Sequence, residues 1–359
     1  MDKKIIFSTG GTGGHIFPAI HLMNHFFDKG YKVLLVTDSR GNNFAKNFSN
    51  FRTYILKAGT PTNKNFFDKF LSFLLIFKSI IKSIIILKKE KPDLVFGFGG
   101  YVSFPISFAS KFFNLPLVIY ENNAVLGRAN KYLKFFSKKI FIAKKLSSNF
   151  PEKLKHKACE VGAILDKKII NYTKTKVNNA AENFSILVLG GSQGAEIFGI
   201  VVPPVIKMIK KEGHEVEIIQ QCIASQRNSI EDYYKKNNIK NYIFEFEKDI
   251  LKLISSSNLT ITRSGASTTA ELVQTLTPFI AVPLPSSIDN HQYLNAKYYE
   301  SEGCCLLLEQ RNFNTNNLFN LIMEAIKNKN KLENIKKNMK KNCNKNVYEN
   351  IESEIKKII

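Results

Sequence analysis

Twice in this chain a short apolar run ends in a cluster of glycines that opens a helical pattern, and that repeat limits the fold more than any other feature. The first instance reads Lys4-Ile-Ile-Phe-Ser-Thr-Gly-Gly-Thr-Gly-Gly-His15 and the second Ser185-Ile-Leu-Val-Leu-Gly-Gly-Ser-Gln-Gly-Ala195. Each is the first strand-turn-helix step of a doubly wound sheet, in which a buried parallel strand feeds a helix through a tight turn. Because Ile5-Ile6-Phe7 is short and ends in the glycine turn, the opening of the chain reads as a first strand and not as a signal peptide.

Further apolar runs at Lys32 to Thr37, Leu94 to Gly97, Leu117 to Tyr120, Lys139 to Ala143, Glu215 to Gln220, Leu259 to Thr262 and Pro278 to Val282 read as buried strands. Their alternation with helical stretches predicts an α/β protein with two parallel sheets. A chain of 359 residues suits two domains of roughly 150–200 residues each. We expect two Rossmann-like domains facing across a cleft, residues 1–162 and 163–342, with the polar, Lys- and Asn-rich stretch Asp166 to Asn183 at or beside the linker. The lysine-rich helical region Lys327 to Ile359 keeps apolar positions at Ile335, Met339, Val347, Ile351, Ile355 and Ile358. Its end, 343–359, can cross back onto the first domain; a plain surface helix is equally compatible.

Charge narrows the partners. With 52 Lys+Arg against 30 Asp+Glu the net charge is +22, which suits phosphate-bearing ligands or an anionic membrane surface, although A+T-rich codon usage would also enrich Lys, Asn, Ile and Phe together. No helix-turn-helix, zinc or RNA-binding signature accompanies the charge, so nucleic acid is not an expected partner. Cys159, Cys222, Cys304, Cys305 and Cys343 are odd in number and lack C-x-x-C spacing, which favours reduced thiols and no zinc site.

Phe66 to Leu87 is apolar nearly all round and is followed by Lys88-Lys89-Glu90-Lys91. Lys78 and Lys82 sit one turn apart in its middle, which argues against a spanning helix. Two readings stay open, a buried connecting helix or a helix lying in the membrane interface.

The chemistry-bearing residues follow predicted strands. Gly10-Gly11-Thr12-Gly13-Gly14 precedes a helix expected near Ile16, so its amides and the helix dipole can face an anion. The loop fits neither the dinucleotide pattern nor a P-loop. His15, directly behind it, is suited to take a proton from a sugar hydroxyl near neutral pH. In the second half, Arg263-Ser-Gly-Ala-Ser-Thr-Thr-Ala-Glu271 reads as strand end, glycine turn and helix start, offering amides and hydroxyls to a diphosphate and Glu271 to a ribose diol. Asp289-Asn-His-Gln292 can read sugar hydroxyls, and Glu121 is either a second carboxylate base or a charged loop residue.

Together, Gly10-Gly-Thr-Gly-Gly-His-Ile-Phe-Pro18, Gly99-Gly-Tyr-Val-Ser-Phe-Pro105, Glu121-Asn-Asn123, Gly190-Gly-Ser-Gln-Gly-Ala195, Arg263-Ser-Gly-Ala266 with Glu271, and His291-Gln292 resemble the MurG family of peptidoglycan N-acetylglucosaminyltransferases. The resemblance implies a GT-B fold and an inverting transfer of GlcNAc from UDP-N-acetylglucosamine to lipid I, undecaprenyl-diphosphate-MurNAc-pentapeptide. It also implies no cofactor, no essential metal and a peripheral location at the cytoplasmic face of the cell membrane. Carried over by position, Thr12, Gly13, Gly14, Asn123, Ser192, Ala266, Ser267, Thr268, Thr269, Ala270, Glu271 and Gln292 would contact the donor. The first glycine loop, Gly11 included, and Tyr101 would serve the acceptor side, and His15 and Glu121 are the base candidates.

Three positions depart from the family pattern. Asp166 stands where an arginine near the donor is usual, Gly199 where an asparagine is usual, and Glu247 where an apolar residue usually meets the uracil region. Lys167 or Lys168 could replace the arginine. A UDP-N-acetylglucosamine 2-epimerase of the same fold and a non-catalytic, membrane-surface UDP-sugar-binding protein are the competing readings.

Overall fold

The computed structural model describes residues 3–46, 51–57, 59, 65–145, 150–172, 183–191 and 194–359, the side chains of Phe66 and Lys69 excepted. The chain divides into two units, residues 1–167 with 346–359, and residues 168–345.

In the first unit the strands are β1 (Lys4–Ser8), β2 (Lys32–Thr37), β3 (Thr53–Ile55), β4 (Leu94–Gly97), β5 (Leu117–Glu121), β6 (Lys139–Ile142) and β7 (Ala158–Glu160). Its helices are α1 (Gly13–Asp28), α2 (Ser39–Lys46), α3 (Phe66–Glu90), α4 (Ser103–Ala109) and α5 (Arg128–Leu133). The strands pair in parallel in the order β3-β2-β1-β4-β5-β6-β7. Ile5, Ile6 and Phe7 of β1 are wholly buried at the centre of that order, as continuous apolar strands covered on both faces must be. The sequence order reverses direction between β1 and β4, which makes their C-terminal ends the switch point where ligands bind in open parallel sheets.

Short α6 (Lys167–Ile170) spans the division. Beyond it come β8 (Phe184–Leu189), α7 (Glu196–Lys211), β9 (Val216–Gln221), α8 (Arg227–Lys236), β10 (Lys240–Phe244), α9 (Ile250–Ser256), β11 (Leu259–Thr262), α10 (Ala266–Gln274), β12 (Phe279–Ala281), α11 (His291–Ser301), β13 (Leu306–Leu307), α12 (Thr315–Lys327) and α13 (Lys329–Asn342). The second sheet is likewise parallel, in the order β10-β9-β8-β11-β12-β13, with its switch point between β8 and β11. Its core is built on Ile186, Val188, Ile218, Ile261 and Ile280, covered by Phe198, Val202 and Ile206 of α7 and by Leu318 and Ile322 of α12.

The last helix, α14 (Val347–Lys356), belongs to the first unit. The lysine-rich end of the chain is thus two helices serving two cores: Ile335 and Met339 of α13 are buried in the second unit, Val347, Ile351 and Ile355 of α14 in the first. Tyr348 Oη donates to Leu165 O at 2.5 Å, tying α14 to the segment that leaves the first unit. The residues 173–182, which make up most of the expected linker, lie outside the described residues.

α3 inverts the usual amphipathic arrangement. Ser72, Ser79 and Ser83 face inward with Ile86, Leu87 and Glu90, whereas Phe70, Phe73, Leu74, Phe77, Ile81 and Ile85 are exposed, Phe77 by 62%. Small inward residues let the chain approach closely: a Cβ at Gly59 would stand 2.6 Å from Ser72 Cα, and Ser79 Oγ donates to Lys57 O. At the C-terminal end Glu90 accepts from Tyr54 Oη at 2.5 Å and pairs with Arg52 at 3.1 Å and Lys4 at 3.3 Å, which anchors the helix to β1 and β3.

The structure adds four strands to those the sequence predicts, β3, β7, β10 and β13. β3, β7 and β13 are two or three residues long and partly exposed, and β10 is buried only at Ile243 and Phe244, so none carries a continuous apolar run.

Candidate active site

The first glycine loop is assembled by backbone contact between two loops at the switch point. Phe98 N donates to Ser8 O at 2.7 Å and Gly10 N to Gly99 O at 3.0 Å. A Cβ at Gly100 would lie 2.8 Å from Gly10 Cα, and Gly99 and Gly100 both have left-handed φ, +85° and +79°, so only glycine fits there. Gly11 N donates to Asp38 Oδ2 at 3.3 Å, while Asp38 Oδ1 accepts from Gly41 N at 2.7 Å. One carboxylate therefore caps α2 and holds the glycine loop.

α1 begins at Gly13, three residues earlier than expected, with Thr12 in the N-cap position; its carbonyl accepts from His15 N and Ile16 N. The amides of Gly13 and Gly14 fall in the first turn, where a helix supplies no acceptor. Gly14 is exposed, and a Cβ there would meet nothing within 4 Å, so the space beside its Cα is open. Pro18 has no N–H for the carbonyl of Gly14, and Asn122 Nδ2 donates to that oxygen at 3.4 Å instead, linking the loop after β5 to the glycine loop.

The half-buried His15 lays its ring on the glycine backbone. A Cβ at Gly99 would be 3.2 Å from its Cε1 and 3.4 Å from its Nδ1, and one at Gly100 3.7 Å from its Cδ2.

Glu121, a base candidate on the sequence, is 1% exposed, and both its oxygens are engaged. Oε1 accepts from Asn123 N (3.1 Å) and Asn123 Nδ2 (3.0 Å); Oε2 accepts from Gly127 N (2.7 Å) and Asn130 Nδ2 (3.0 Å). Such a carboxylate shapes the 121–130 loop and fixes the Asn123 amide beside it. Two polar residues that the sequence reading passed over stand here. Arg128 Nη1 donates to Tyr101 Oη at 3.4 Å, which adds a cation to the acceptor-side candidate, and Asn130 is buried behind Gly99. The signal for both was Gly127-Arg-Ala-Asn130, a polar helix start following a strand-end loop.

At the second switch point Gly190 N donates to Gln221 Oε1 at 3.0 Å, and Gly191 and Gly194 take left-handed φ. Ser192 lies outside the described residues. α10 starts after Gly265 with no acidic residue in its first turn, so the amides of Ala266, Ser267 and Thr268 face forward. Ala266, Thr269 and Ala270 are buried, and Thr269 Oγ1 donates to Gly265 O at 3.0 Å. Half-buried Ser267, Thr268 and Glu271 form the accessible face, Ser267 and Glu271 being one turn apart. Arg263 is buried; its Nη1 donates to Val282 O at 3.1 Å and its guanidinium lies 5.0 Å from the Phe198 ring centre, so it fastens β11, β12 and α7 together. Gln292 Oε1 accepts from Leu284 N at 3.0 Å, leaving its Nε2 as a donor.

The structure shows the surroundings of the three departures, and nothing in it explains Asp166 itself. Lys167, one substitute considered for the missing arginine, pairs with Asp28 at 3.4 Å and lies over the Tyr348 ring. A side chain at Gly199 would overlap the Gln226 amide, which occupies that space. Glu247 accepts from Tyr242 Oη (3.1 Å) and Asp249 N (3.0 Å) on an exposed loop.

Two doubly wound sheets, each with a glycine turn and a helix start at its switch point, define the GT-B fold, and the family patterns make the chain a glycosyltransferase of that class. The sequence pattern of the glycosyltransferase family 28 N-terminal domain matches residues 5–142, and that of the family 28 C-terminal domain matches residues 185–352. The chain is 36% identical over 330 residues to the UDP-N-acetylglucosamine–N-acetylmuramyl-(pentapeptide) pyrophosphoryl-undecaprenol N-acetylglucosamine transferase of Pelagibacter ubique, covering 92% of this chain and 91% of that protein. It is 37% identical over 333 residues to the transferase of the same name from Rickettsia canadensis, covering 92% and 93%. The crystal structure of Acinetobacter baumannii MurG superimposes with a TM-score of 0.81 at 24% identity, covering 99% of this chain and 100% of that one. The UDP-GlcNAc 2-epimerase of Neisseria meningitidis shares the fold at a TM-score of 0.68 and 14% identity, covering 99% and 100%. The chain belongs to glycosyltransferase family 28 and, within it, to the MurG family.

Proposed function

We propose that this enzyme transfers N-acetylglucosamine from UDP-N-acetylglucosamine to the 4-hydroxyl of MurNAc in undecaprenyl-diphosphate-MurNAc-pentapeptide, converting lipid I to lipid II with inversion. The observation that carries the reading is the likeness to transferases of that name along more than nine-tenths of the chain. His15 takes the proton of the acceptor hydroxyl as its oxygen bonds to the anomeric carbon. The bond from that carbon to the diphosphate breaks, and its electron pair leaves with UDP. Negative charge growing on the leaving diphosphate meets the first-turn amides of α10, which need no reorganisation to receive it. Glu271 accepts from the ribose diol, and the amides of Gly13 and Gly14 with Tyr101 and Arg128 serve the acceptor diphosphate.

The acceptor is lipid-anchored, and the exposed apolar face of α3 supports a peripheral location at the cytoplasmic surface of the membrane. By length and composition Phe70–Glu90, with a mean hydropathy of 2.2, could cross a bilayer. Its other face is bonded into the unit through Ser79 and Glu90, so the exposed stripe is better suited to lying in the headgroup boundary, with Lys78, Lys82, Lys88 and Lys89 toward anionic lipid.

The decisive experiment supplies radiolabelled UDP-N-acetylglucosamine and lipid I in vesicles and measures label in the lipid extract. Transfer dependent on lipid I supports the proposal. Absence of lipid-bound label overturns it, and conversion of the sugar nucleotide to its 2-epimer without acceptor would replace it with epimerisation.

A further inference from the structure

The second glycine loop is braced from the loop that follows β9. Gln221 Oε1 accepts from Gly190 N, and the Ile223 side chain fills the space beside Gly194, where a Cβ would stand 2.4 Å from its Cγ2. Three residues on, Gln226 Nε2 donates to Glu196 O at 3.2 Å, in the first turn of the helix α7 that the glycine loop feeds. Glu196 O can only accept, so the nitrogen is the end of the amide that faces it. Gln226 Oε1 is then buried and finds no partner among the described residues. A side chain kept only to fill space would avoid that cost.

The amide stands where a side chain at 199 would bring one. A Cβ on Gly199 would lie 2.3 Å from Gln226 Oε1, 2.7 Å from Cδ and 2.9 Å from Nε2. An asparagine holds its amide carbon about 1.5 Å, and its amide oxygen and nitrogen about 2.4 Å, from its own Cβ. An asparagine at 199, the residue usual there in the family, and the Gln226 amide therefore compete for one space. Glycine inside a helix is unfavourable, and at 199 it leaves that space to Gln226.

We propose that Gln226 is a positioning residue of the donor site: from the loop after β9 its side-chain amide takes the place of an asparagine at 199, and it holds the first turn of α7 and with it the second glycine loop. Gly199 and Gln226 are two halves of one exchange, so the departure at 199 removes the usual side chain and keeps the amide. The inference rests on the reading of the second glycine loop as part of the UDP-sugar site.

The test moves the amide between the two positions and measures UDP binding by calorimetry, with melting curves to show that each variant folds. Gln226→Met keeps the bulk of the side chain and loses the amide; it is expected to weaken UDP about 3- to 10-fold, the worth of one hydrogen bond. Gly199→Asn with Gln226→Ala supplies the amide from the other side and is expected to bind as the wild type does. Gly199→Ala with Gln226→Ala, which fills the helix position without an amide, is expected to stay weak. UDP affinity unaltered in Gln226→Met overturns the proposal, as does an asparagine at 199 that restores no more than alanine does. If the double variants do not fold, Gln226→Met decides alone. A wild type that binds no UDP would overturn the donor-site reading itself and this inference with it, whereas equal binding by wild type and Gln226→Met overturns the inference only.

Discussion

His25 on α1 and Glu352 on α14, 327 positions apart, meet at 2.9 Å inside the first unit, Nε2 to Oε2. The Tyr348 ring lies 5.0 Å from the imidazole, and Lys356 pairs with the other carboxylate oxygen at 2.6 Å. The end of the chain is part of the first core through this contact. Glu352→Ala strands a buried imidazole donor and is expected to cost about 1–3 kcal/mol in urea unfolding.

The same pair gives stability a pH dependence. Burial pulls His25 below the ordinary imidazole value more than the Glu352 hydrogen bond raises it. Burial alone would raise Glu352, but hydrogen bonds from Lys356 and His25 outweigh it and hold the group below the usual carboxylate range. Both groups bind protons more readily in the unfolded chain, so acid favours unfolding. The His25 contribution is lost as pH falls from about 6.5 toward its lower folded value, and that of Glu352 below about 4.5. The melting temperature should fall between pH 7 and pH 5, and His25→Gln should flatten that slope; a slope identical in the variant would assign the dependence to other groups.

Two glycines separate folding from binding. Gly100→Ala forces a side chain into a left-handed backbone against Gly10, at about 1–2 kcal/mol for the conformation alone, with the overlap added. Gly14→Ala meets no atom and should melt as the wild type does, while its methyl adds bulk at the exposed first turn of α1. An acceptor KM unchanged in Gly14→Ala would remove the first-turn amides from the acceptor site.

On α3, Phe70→Glu with Phe77→Glu alters exposed positions, so unfolding should change by no more than about 0.5 kcal/mol at each. Flotation with anionic liposomes should lose the protein from the lipid fraction. Retention there would reject the interfacial role of this face.

For the donor, Glu271→Ala should weaken UDP binding by calorimetry about 10- to 100-fold, the worth of a charged acceptor on two hydroxyls, while Thr269→Ala, which alters a hydroxyl bonded within the helix, should act through stability.

His15→Ala should lower kcat by about 10²- to 10⁴-fold with donor affinity unchanged. A rise in acceptor KM alone, with kcat intact, would make His15 a ligand of the acceptor diphosphate and send the search for the base elsewhere.

Features set by neighbours along the chain can be read directly from the residue order. Apolar runs of four to six residues ending at a glycine turn specified β1, β4, β8 and β11 and the helices behind them, because a buried parallel strand and its turn are defined within about a dozen residues. The glycine loops, His15, and the helix start at Ala266 were legible for the same reason. Tertiary structure decided what depends on distant partners. Phe66 to Leu87 fitted a core helix and an interfacial one equally, and only the serines packed near Lys57 and Gly59 show which face is inward. Glu121 looked available until Asn123, Gly127 and Asn130 closed around it. For the end of the chain, 343–359, a return to the first domain and a plain surface helix fitted the sequence equally, and only Glu352 meeting His25 across 327 positions places α14 in the first unit. Period and turn chemistry are local, whereas the partner of a buried polar group is set by which strands the topology brings side by side.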